Sequence, residues 1–508
     1  MVIFYNYRKY LKRITKSEVM IGKTEPDGLL ARHNSNLTKI RTWADSVAPH
    51  REKWRKQYAY FHKLDSDYLR FLISPGQKVL ALGCGSGAQL ACLEPELGVG
   101  VDISLRKIEI ATRQYPALSF TVGDMENADL ISKVSEYGPF DVIFLNDSLG
   151  FASDIQTFLS RLHELCKPET RLISVYYAYF WEPALKLAEF FNLRMKTLDT
   201  TWLKMSDVET FMKLGGFEPV KKEWRILLPV HIFGIGTLFN RYLATLPLLR
   251  KLCLRHYVVS RPAPIDEGVE KSVSVVIPCR NEKGNIEEAL LRMPHLGSST
   301  EIIFVEGHSH DGTWEEIERV QQSFSHLDIK AIRQKGEGKG DAVRAGFEMA
   351  SGEILMILDA DLTVPPEELP KFYEEIRSGR GEYINGSRLI YSMEDKAMKF
   401  LNFWANQCFA ALFTFLLNQN FTDTLCGTKV IGKENYQRLS ENRNYFGDFD
   451  PFGDFDLIFG ATKLNLKIVE VPVRYRRRRY GMTQISRFRH GYLLIKMVLF
   501  AYRKLKLI

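Results

Sequence analysis

The segment at 353–366 constrains the fold of the second half of this chain more than any other feature. Residues 354–358 form an unbroken apolar run of strand length, which is typical of a strand covered on both faces. The run ends in Asp359 and Asp361, and two consecutive prolines then end the strand and can begin a helix. A hard divalent cation neutralises such a carboxylate pair with oxygen ligands. The alternative is that one aspartate caps the next helix and the other is solvated.

Length and composition limit the class of protein. A chain of 508 residues is long enough for two or three domains, and 45% hydrophobic with 26% charged residues indicates a globular protein. The net charge of +8 is modest for this length and does not predict nucleic-acid binding. Seven cysteines without a Cys-x-x-Cys motif argue against a disulfide framework or a zinc ribbon, and favour a reducing compartment. No apolar run reaches the roughly 18–20 residues of a spanning helix, so we expect the chain not to cross a membrane.

In the first half, glycines or acids follow successive predicted strands. A short apolar strand runs into the turn Gly83-Cys84-Gly85-Ser86-Gly87, and glycines there let the backbone approach a ligand closely. The next strand ends in Asp102, which is placed to accept hydrogen bonds from ribose hydroxyls, and a third leads to Asp124. Strand and helix patterns alternate, which predicts a doubly wound parallel sheet.

These features resemble the class I S-adenosylmethionine-dependent methyltransferases, over roughly residues 65–225. The resemblance implies that Gly83, Gly85 and Gly87 surround the methionine moiety of S-adenosylmethionine. It also implies that Asp102 binds the ribose and that Asp124 approaches the adenine. Ala81 stands where the family usually has an acid. The resemblance therefore leaves open an active methyltransferase or a retained fold that binds weakly.

The second half also carries polar residues at predicted strand ends. A Val/Ile strand is closed by Pro278, with Arg280 and Glu282 beyond it, and a second strand ends in Glu306. Lys339 lies in a Gly-Lys-Gly turn before a helix, where a flexible backbone and one cation suit phosphate binding. These pieces, together with Gly386-Ser387-Arg388, resemble glycosyltransferase family 2 of the GT-A fold over about residues 272–490, and within it the polyprenyl-phosphate, dolichyl-phosphate mannose synthase-like branch.

This resemblance implies a nucleotide-diphosphate-sugar donor. It places Asp359 and Asp361 on Mg²⁺ or Mn²⁺ at the diphosphate, with Thr363 as a further metal ligand. Gly307 stands where the usual second acid would be, so recognition of the base can differ. The implied donor-binding residues are Pro278, Arg280, Glu282, Glu306, Lys339, Ala360 and Arg388.

Two later elements concern the acceptor. Asp423-Thr-Leu-Cys-Gly427 resembles the Asp-x-x-Ser-Gly element of the polyprenyl branch, and Arg478, Gly481 and Thr483 match its Arg-x-x-Gly-x-Ser-Lys element. Gln484 replaces the usual Lys, and Arg487 is close enough to replace its charge. Runs of arginine are ordinarily solvated, but next to this turn the run favours phosphate binding. The expected acceptor-binding residues are Asp423, Arg478, Thr483 and Arg487.

The chemistry of the acceptor decides the mechanism. A lipid phosphate is already an anion at neutral pH and needs only cations to position it. A sugar hydroxyl needs a general base, and Asp454 is the first candidate. We therefore expect an inverting transfer to polyprenyl phosphate, with Asp359, Asp361 and Asp454 as the catalytic candidates. A polysaccharide glycosyltransferase with a glycan hydroxyl acceptor is the alternative.

The predicted division of the chain has four parts. Residues 1–64 are a helical extension, 65–259 a methyltransferase-like domain, 260–271 a linker, and 272–508 a GT-A domain with a basic amphipathic tail. The expected fold class is α/β in both domains. The cofactors are S-adenosylmethionine and Mg²⁺ or Mn²⁺, and no nucleic-acid partner is expected. A basic binding scaffold made of two nucleotide folds is the alternative from a different class.

For two apolar segments, the sequence is compatible with more than one environment. Residues 224–254 can form the last strands of the sheet plus an interfacial helix, or simply part of the core, and core is favoured because membrane-lying helices need a clear polar face. Residues 490–507 alternate apolar runs with cations, which fits a helix on an anionic leaflet or one packed on the sheet. Together with a lipid acceptor, the second pattern predicts a cytoplasmic protein at the inner face of the plasma membrane.

Overall fold

The computed structural model describes residues 26–198, 200–231, 233–388, 400–445, 455–476, 478, 480 and 487–507. These residues form two α/β units, each built on a seven-stranded sheet. Among the predicted site residues, Asp454, Thr483 and the side chain of Arg487 lie outside the described part.

The first sheet has the strand order β3-β2-β1-β4-β5-β7-β6. Strands β1 to β5 run parallel, and β7 runs antiparallel to β5 and β6. This confirms the doubly wound parallel sheet, and the apolar strands are buried because helices cover both faces. Its strands are β1 Lys78–Leu82, β2 Leu97–Asp102, β3 Ser119–Val122, β4 Phe140–Asn146, β5 Cys166–Tyr177, β6 Phe217–Arg225 and β7 Arg255–Pro262.

Nine helices accompany this sheet in the described residues. The helices are α1 Pro26–Gln57, α2 Ala59–Leu72, α3 Ala88–Cys92, α4 Leu105–Gln114, α5 Ala128–Ser135, α6 Ile155–Arg161, α7 Glu182–Phe190, α8 Met205–Leu214 and α9 Ile235–Leu238. The first two were predicted to form an extension. The second packs onto the core of the sheet, the first contacts α2 and α4, and the boundary predicted between 64 and 65 falls inside α2.

The second sheet has the order β10-β9-β8-β11-β13-β12-β14. Strands β8 to β11 are parallel, and β13 is antiparallel to β11 and β12. All four residues of β11 are buried, so the central apolar run is the covered strand predicted from the sequence. The strands are β8 Val273–Cys279, β9 Thr300–Glu306, β10 Asp328–Arg333, β11 Ile354–Ile357, β12 Tyr383–Ser387, β13 Lys429–Gly432 and β14 Ile468–Pro472.

The helices of the second unit flank this sheet. They are α10 Lys283–Leu291, α11 Thr313–Ser323, α12 Lys339–Met349, α13 Leu369–Arg377, α14 Phe400–Leu417, α15 Lys433–Glu441, α16 Phe455–Lys463 and α17 Arg487–Leu505. Among the described residues, no helix combines the length and the apolar character that crossing a bilayer requires.

The two units join through buried polar contacts. Arg171 donates two hydrogen bonds of 2.8 Å to the Glu382 carboxylate, and Lys506 lies 3.1 Å from a Glu223 oxygen. The connection between the units is shorter than predicted, because residues 260–262 of the expected linker belong to β7. Separation of such buried ion pairs is strongly destabilising, because it leaves charges without partners. The two units therefore form one packed body.

The structure shows which side chains of the two apolar segments are buried. Helix α17 buries Leu494, Met497, Ala501 and Leu505 at helical spacing, so it packs against the protein. The core assignment of 224–254 is wrong for much of that segment, since Phe233 is 99% exposed and Leu248 83%. Hydropathy identifies apolar composition, but the location of an apolar segment depends on the space left in the core.

Two candidate active sites

The glycine turn between β1 and α3 borders a cavity of about 450 Å³. Gly83 and Gly87 have φ values of +79° and +78°. A Cβ at Gly83 would lie 2.8 Å from the Ser148 Cβ, and one at Gly87 would lie 2.7 Å from the Phe120 ring. Both positions therefore require glycine, because the backbone is left-handed and the space is taken.

Asp102 supports the same turn from the end of β2. Its carboxylate accepts hydrogen bonds from the backbone N–H groups of Gly85, at 2.9 Å, and Ser104, at 3.0 Å, and its Oδ1 lies 3.4 Å from the Lys107 Nζ. Asp124 follows β3 and accepts from the Glu126 N–H at 3.1 Å. Gly83, Asp102 and Asp124 all line the cavity, whereas Gly85 and Gly87 shape the turn without lining it.

Helices α1 and α2 cover this cavity. The Arg51 guanidinium lies over the turn, 3.4 Å from the position a Cβ would take at Gly85. Trp43 stacks on Phe151 at 5.8 Å and donates its indole N–H to the Lys196 carbonyl at 3.2 Å. Sequence analysis missed these residues because they belong to no motif, although a basic and aromatic helical pattern marked the segment.

A buried charge cluster forms the inner wall of the cavity. Arg255 lies 3.2 Å from Asp65 and 2.5 Å from Asp147, and Gln89 donates to Asp65 at 2.8 Å. Burial raises the pKa of Asp147, an effect that Arg255 opposes. Asp65 lines the cavity and Ala81 does not. A carboxylate is therefore present, but it comes from α2 rather than from the first strand.

A histidine in the same wall is neutral. Burial lowers the pKa of His62 to about 4, an effect that Asp65 opposes. An imidazole without charge both donates and accepts hydrogen bonds at neutral pH. The cavity therefore presents polar groups at the glycine turn and in its inner wall.

The residues of this cavity fit S-adenosylmethionine. A glycine-only turn, an acid at the end of β2 and a second acid after β3 border one cavity, as the cofactor requires. The guanidinium of Arg51 adds a cation of the kind that pairs with a carboxylate.

The second site lies at the carboxyl end of β11. The Lys339 Nζ is 2.6 Å from Asp359 Oδ1, and the Arg478 Nη2 is 2.6 Å from Asp361 Oδ2. Burial raises the pKa of Asp359, but Lys339 outweighs this effect and holds the pKa below its ordinary value. Both Asp359 and Asp361 are therefore paired with cations from distant parts of the chain.

The surroundings of this aspartate pair suit a hard cation. Thr363 donates its hydroxyl to Asp361 Oδ1 at 2.8 Å, and its backbone N–H donates to the same oxygen at 3.1 Å. A Cβ at Gly427 would lie only 1.8 Å from Asp359 Oδ2, so this glycine makes room for the carboxylate. The donor set of Asp359, Asp361 and Thr363 consists of oxygens, which Mg²⁺ and Mn²⁺ prefer.

Arg478 connects the predicted acceptor element to the predicted donor site. Its segment is held by a hydrogen bond from the Arg476 N–H to the Thr363 carbonyl at 2.8 Å. Its second terminal nitrogen lies 3.4 Å from Glu282 Oε1. Burial raises the pKa of Glu282 to about 7, although Arg478 and a hydrogen bond from Asn285 oppose that rise.

The residues expected to bind the base lie at the ends of β8 and β9. Pro278 is in β8, and Arg280 lies beside Gly307, where a Cβ would be 3.6 Å from the Arg280 Cβ. Glu306 accepts a hydrogen bond from the Ser309 N–H at 2.5 Å. Ala360 is buried between the two metal-site aspartates. The structure thus brings most predicted donor residues to one sheet edge, as expected for parallel strands.

Tyr480 is a further residue at this end that sequence analysis did not find. Its ring lies over Gly284, where a Cβ would be 2.6 Å from the ring, and its hydroxyl donates to Asp311 at 3.3 Å. The only signal for it was its proximity in sequence to the arginine run. Tyr480 therefore lies against the first turn of α10.

Arg388 and Asp423 pair with each other. Two guanidinium nitrogens of Arg388 lie 2.6 and 2.8 Å from the Asp423 carboxylate, and the Arg388 backbone N–H donates to it at 3.1 Å. Asp423 is fully buried. The pair joins the end of β12 to the segment before β13. Arg388 and Asp423 therefore stabilise the local structure, because each is the ion-pair partner of the other.

The predicted base, Asp454, lies outside the described residues, but its neighbour Asp456 is described. Its carboxylate lies 3.5 Å from Arg443 and 3.9 Å from Arg344. This acid is therefore engaged in an ion-pair cluster beside α16.

Comparison with protein families identifies both units. The family model described as Methyltransferase domain matches residues 79–169, and the model described as Glycosyl transferase family 2 matches residues 274–439. The first range contains the glycine turn and both acids of the cavity, and the second contains the aspartate pair.

Two curated relatives match parts of this chain. The dolichol-phosphate mannosyltransferase of Pyrococcus furiosus is 41% identical over 121 residues, which are 23% of this chain and 33% of that protein. The undecaprenyl-phosphate 4-deoxy-4-formamido-L-arabinose transferase of Pseudomonas aeruginosa is 35% identical over 131 residues, 25% of this chain and 37% of that protein. The chain thus spans about a third of the length of these relatives.

Among solved structures, the magnesium protoporphyrin IX methyltransferase of Synechocystis PCC 6803 covers 45% of this chain at 16% identity, with a TM-score of 0.32. All of that protein is covered by the match.

The family matches agree with the strand orders and with the positions of the two sites. Residues 79–169 of this chain therefore match a methyltransferase domain, and residues 274–439 match glycosyl transferase family 2.

Proposed function

We propose that the second domain is a metal-dependent inverting glycosyltransferase that moves a sugar from a nucleotide-diphosphate donor to a polyprenyl phosphate. The first domain binds S-adenosylmethionine and transfers its methyl group. Similarity to transferases that are named for dolichol phosphate and undecaprenyl phosphate supports the acceptor class.

The observation that carries this proposal is the position of Arg478. Its guanidinium lies 2.6 Å from Asp361 and 3.4 Å from Glu282, so the predicted acceptor element reaches the predicted metal site. A guanidinium grips phosphate oxygens with two parallel hydrogen bonds. An acceptor phosphate held by Arg478 would therefore lie next to the donor diphosphate.

Asp359, Asp361 and Thr363 are the residues that would hold Mg²⁺ or Mn²⁺. The ion supplies positive charge for the departing diphosphate. Lys339 and Arg478 lie beside the same carboxylates and can turn to phosphate oxygens when a stronger cation takes their place. A phosphate monoester is already ionised at neutral pH, so this arrangement needs no general base.

In the first domain, the cavity residues orient the cofactor. Asp102 is placed for the ribose, Asp124 for the adenine, and Arg51 for the methionine carboxylate. S-adenosylmethionine supplies an electrophilic methyl group on a positively charged sulfur. The wall around it contains Asp65 in place of the family's usual strand acid.

A lipid-phosphate acceptor and free cysteines fit the cytoplasmic, inner face of the plasma membrane. All seven cysteines are unpaired in the structure. This location would bring the second domain to anionic lipid headgroups, which the cations of its C-terminal helix suit.

The test uses the full chain with radiolabelled UDP- and GDP-sugars, MnCl₂ and a short-chain polyprenyl phosphate. We expect label in the organic phase, dependent on metal, and lost in Arg478→Ala. Transfer to a glycan hydroxyl that survives Arg478→Ala and is abolished by Asp454→Asn would instead establish the polysaccharide alternative. Binding of lipid or nucleic acid without any turnover would support a scaffold.

A further inference from the structure

Two apolar segments contribute side chains to one end of the cavity wall in the methyltransferase domain. Leu185, Ala188 and Leu193 of α7 and the residues after it line one side, and Pro229 and Val230 line another. This end contrasts with the opposite one, where the glycine turn and the acids lie. The cavity therefore has a polar cofactor end and an apolar end.

The same two segments present large apolar side chains to solvent. Phe190 is 77% exposed, Phe191 61% and Phe233 99%. Leu248 and Leu252, further along the second segment, are also exposed. Single exposed apolar residues are ordinary, but a group of aromatic and aliphatic side chains on two segments that both line one cavity indicates an interaction surface.

The charge of the second of these segments is one-sided. No acidic residue occurs between Glu223 and Asp266, whereas Arg241 and Lys251 are exposed within that stretch. Apolar side chains combined with cations and without acids complement an anionic bilayer, where the rings enter the headgroup boundary and the cations meet phosphates.

The surface continues onto the second domain. The Thr245 hydroxyl lies 2.6 Å from the Tyr502 hydroxyl of α17, and Arg250 donates to Asn418 at 3.2 Å. Helix α17 exposes Ile495 and Leu499 on the face opposite its buried residues. A bilayer that contacts the apolar segments of the first domain would therefore lie close to α17 of the second.

We infer that the first domain docks on an anionic membrane through residues 190–193 and 230–252, and that its methyl acceptor is an apolar molecule carried by that membrane. The acceptor atom donates the electron pair of the new bond to the methyl carbon. The pair of the broken carbon–sulfur bond stays on sulfur, which gives S-adenosylhomocysteine, and a proton lost from the acceptor passes to water. The acceptor class rests on the proposed cofactor function of the cavity.

Vesicle flotation of the full chain tests the docking surface. We expect binding to vesicles of phosphatidylglycerol and phosphatidylcholine, weak binding to phosphatidylcholine alone, and a loss of about tenfold or more in Phe190→Ser/Phe191→Ser and in Phe233→Ser. Leu291→Ser, at a side chain 68% exposed on α10, is the matched control and should bind like the wild type. Calorimetric binding of S-adenosylhomocysteine should be unchanged in all three variants.

Wild-type binding that is insensitive to these variants overturns the docking surface. A dimer that Phe190→Ser/Phe191→Ser dissociates overturns it as well, because the face would then join two copies of the chain. Failure of S-adenosylhomocysteine to bind is a separate result, since it rejects the proposed cofactor function without touching the vesicle measurement.

The acceptor class has its own measurement. The full chain is incubated with methyl-tritiated S-adenosylmethionine and a bacterial total lipid extract in mixed vesicles. We expect label in the organic phase, reduced at least tenfold in Val230→Asp, which places a charge at the apolar end of the cavity. Label confined to the aqueous phase, or absent from the organic phase while S-adenosylhomocysteine binds, overturns an apolar acceptor.

Discussion

The two sites of this chain differ in how their charged groups are arranged. In the methyltransferase domain, the cavity is enclosed by α1 and α2, and its acids are held by backbone N–H groups and by Arg255 within the wall. In the glycosyltransferase domain, the two aspartates that would hold a metal are paired with Lys339 and Arg478. The first site is a cavity that already exists. The second consists of ion pairs that must change partners when a ligand binds.

This difference has a physical consequence for ligand binding. A cofactor that enters the cavity finds its acids held mainly by backbone N–H groups, with an ion pair between Asp102 and Lys107 at 3.4 Å. A metal that enters the second site displaces two cations, and displaced buried or half-buried charges need new partners. Phosphate oxygens are such partners, so metal and donor diphosphate should bind together more tightly than either binds alone.

The largest effect is expected at the aspartate pair. Asp361→Asn removes a charged metal ligand and the partner of Arg478, so sugar transfer should fall on the order of a thousandfold, since metal charge stabilisation is worth several kcal/mol. Binding of S-adenosylhomocysteine should not change, because the other site is separate. Sugar transfer within tenfold of wild type would contradict the metal role of Asp361.

The next effect is expected in the glycine turn. Gly83→Ala forces a Cβ onto Ser148 and strains a left-handed backbone, so binding of S-adenosylhomocysteine should weaken roughly a hundredfold by calorimetry. Gly76→Ala is the matched control, because Gly76 also has a positive φ but nothing within 4 Å of its Cβ position. If the two substitutions weakened binding of S-adenosylhomocysteine equally, backbone strain rather than the contact with Ser148 would account for the loss.

Arg51 tests the role of the covering helix. Arg51→Ala removes the cation over the glycine turn and should weaken binding of S-adenosylhomocysteine about tenfold, the usual size for a hydrogen bond to a charged group. Arg106→Ala, at an exposed position on α4, removes the same charge without reaching the cavity. If both variants bind alike, Arg51 does not contact the ligand.

Glu282 should make the second site sensitive to pH. Burial raises the pKa of Glu282 to about 7, so the carboxyl is protonated below that pH and ionised above it. An ionised carboxylate accepts hydrogen bonds from ribose hydroxyls, so binding of GDP or UDP with Mn²⁺ should strengthen up to about tenfold from pH 6 to pH 8. Glu282→Gln should lose this part of the pH dependence, and an unchanged profile would exclude Glu282.

The smallest effect is expected at Thr363. Thr363→Val keeps the shape but removes the hydroxyl that donates to Asp361, a net loss of about 0.5–1.5 kcal/mol. Binding of Mn²⁺ with GDP or UDP should weaken roughly two- to tenfold. Thr363→Ser should restore it, and failure of serine to do so would point to packing rather than to the hydrogen bond.

The amino-acid sequence determined both folds and the edges at which the sites lie. Strands that end in or lead directly to Asp102, Asp124, Asp359 and Glu306 are local patterns, and parallel strands bring their carboxyl ends to one side of a sheet. The glycine turn is local as well, because a left-handed backbone limits the residue that can occupy it.

Only the tertiary structure decided which charges meet. Arg255 and Asp65 are 190 positions apart and Arg478 and Asp361 are 117 apart, and no local pattern relates residues at such separations. The mutual pairing of Arg388 with Asp423, and the carboxylate of Asp65 near the place where Ala81 lacks one, depend on the same long-range packing.

The tertiary structure also decided which apolar side chains are exposed. The apolar segment at 224–254 reads as core from its composition, yet many of its side chains lie outside because the sheet and its helices already fill the interior. Sequence determines how apolar a segment is, and the packing of the whole chain determines whether that segment faces the core or the surroundings.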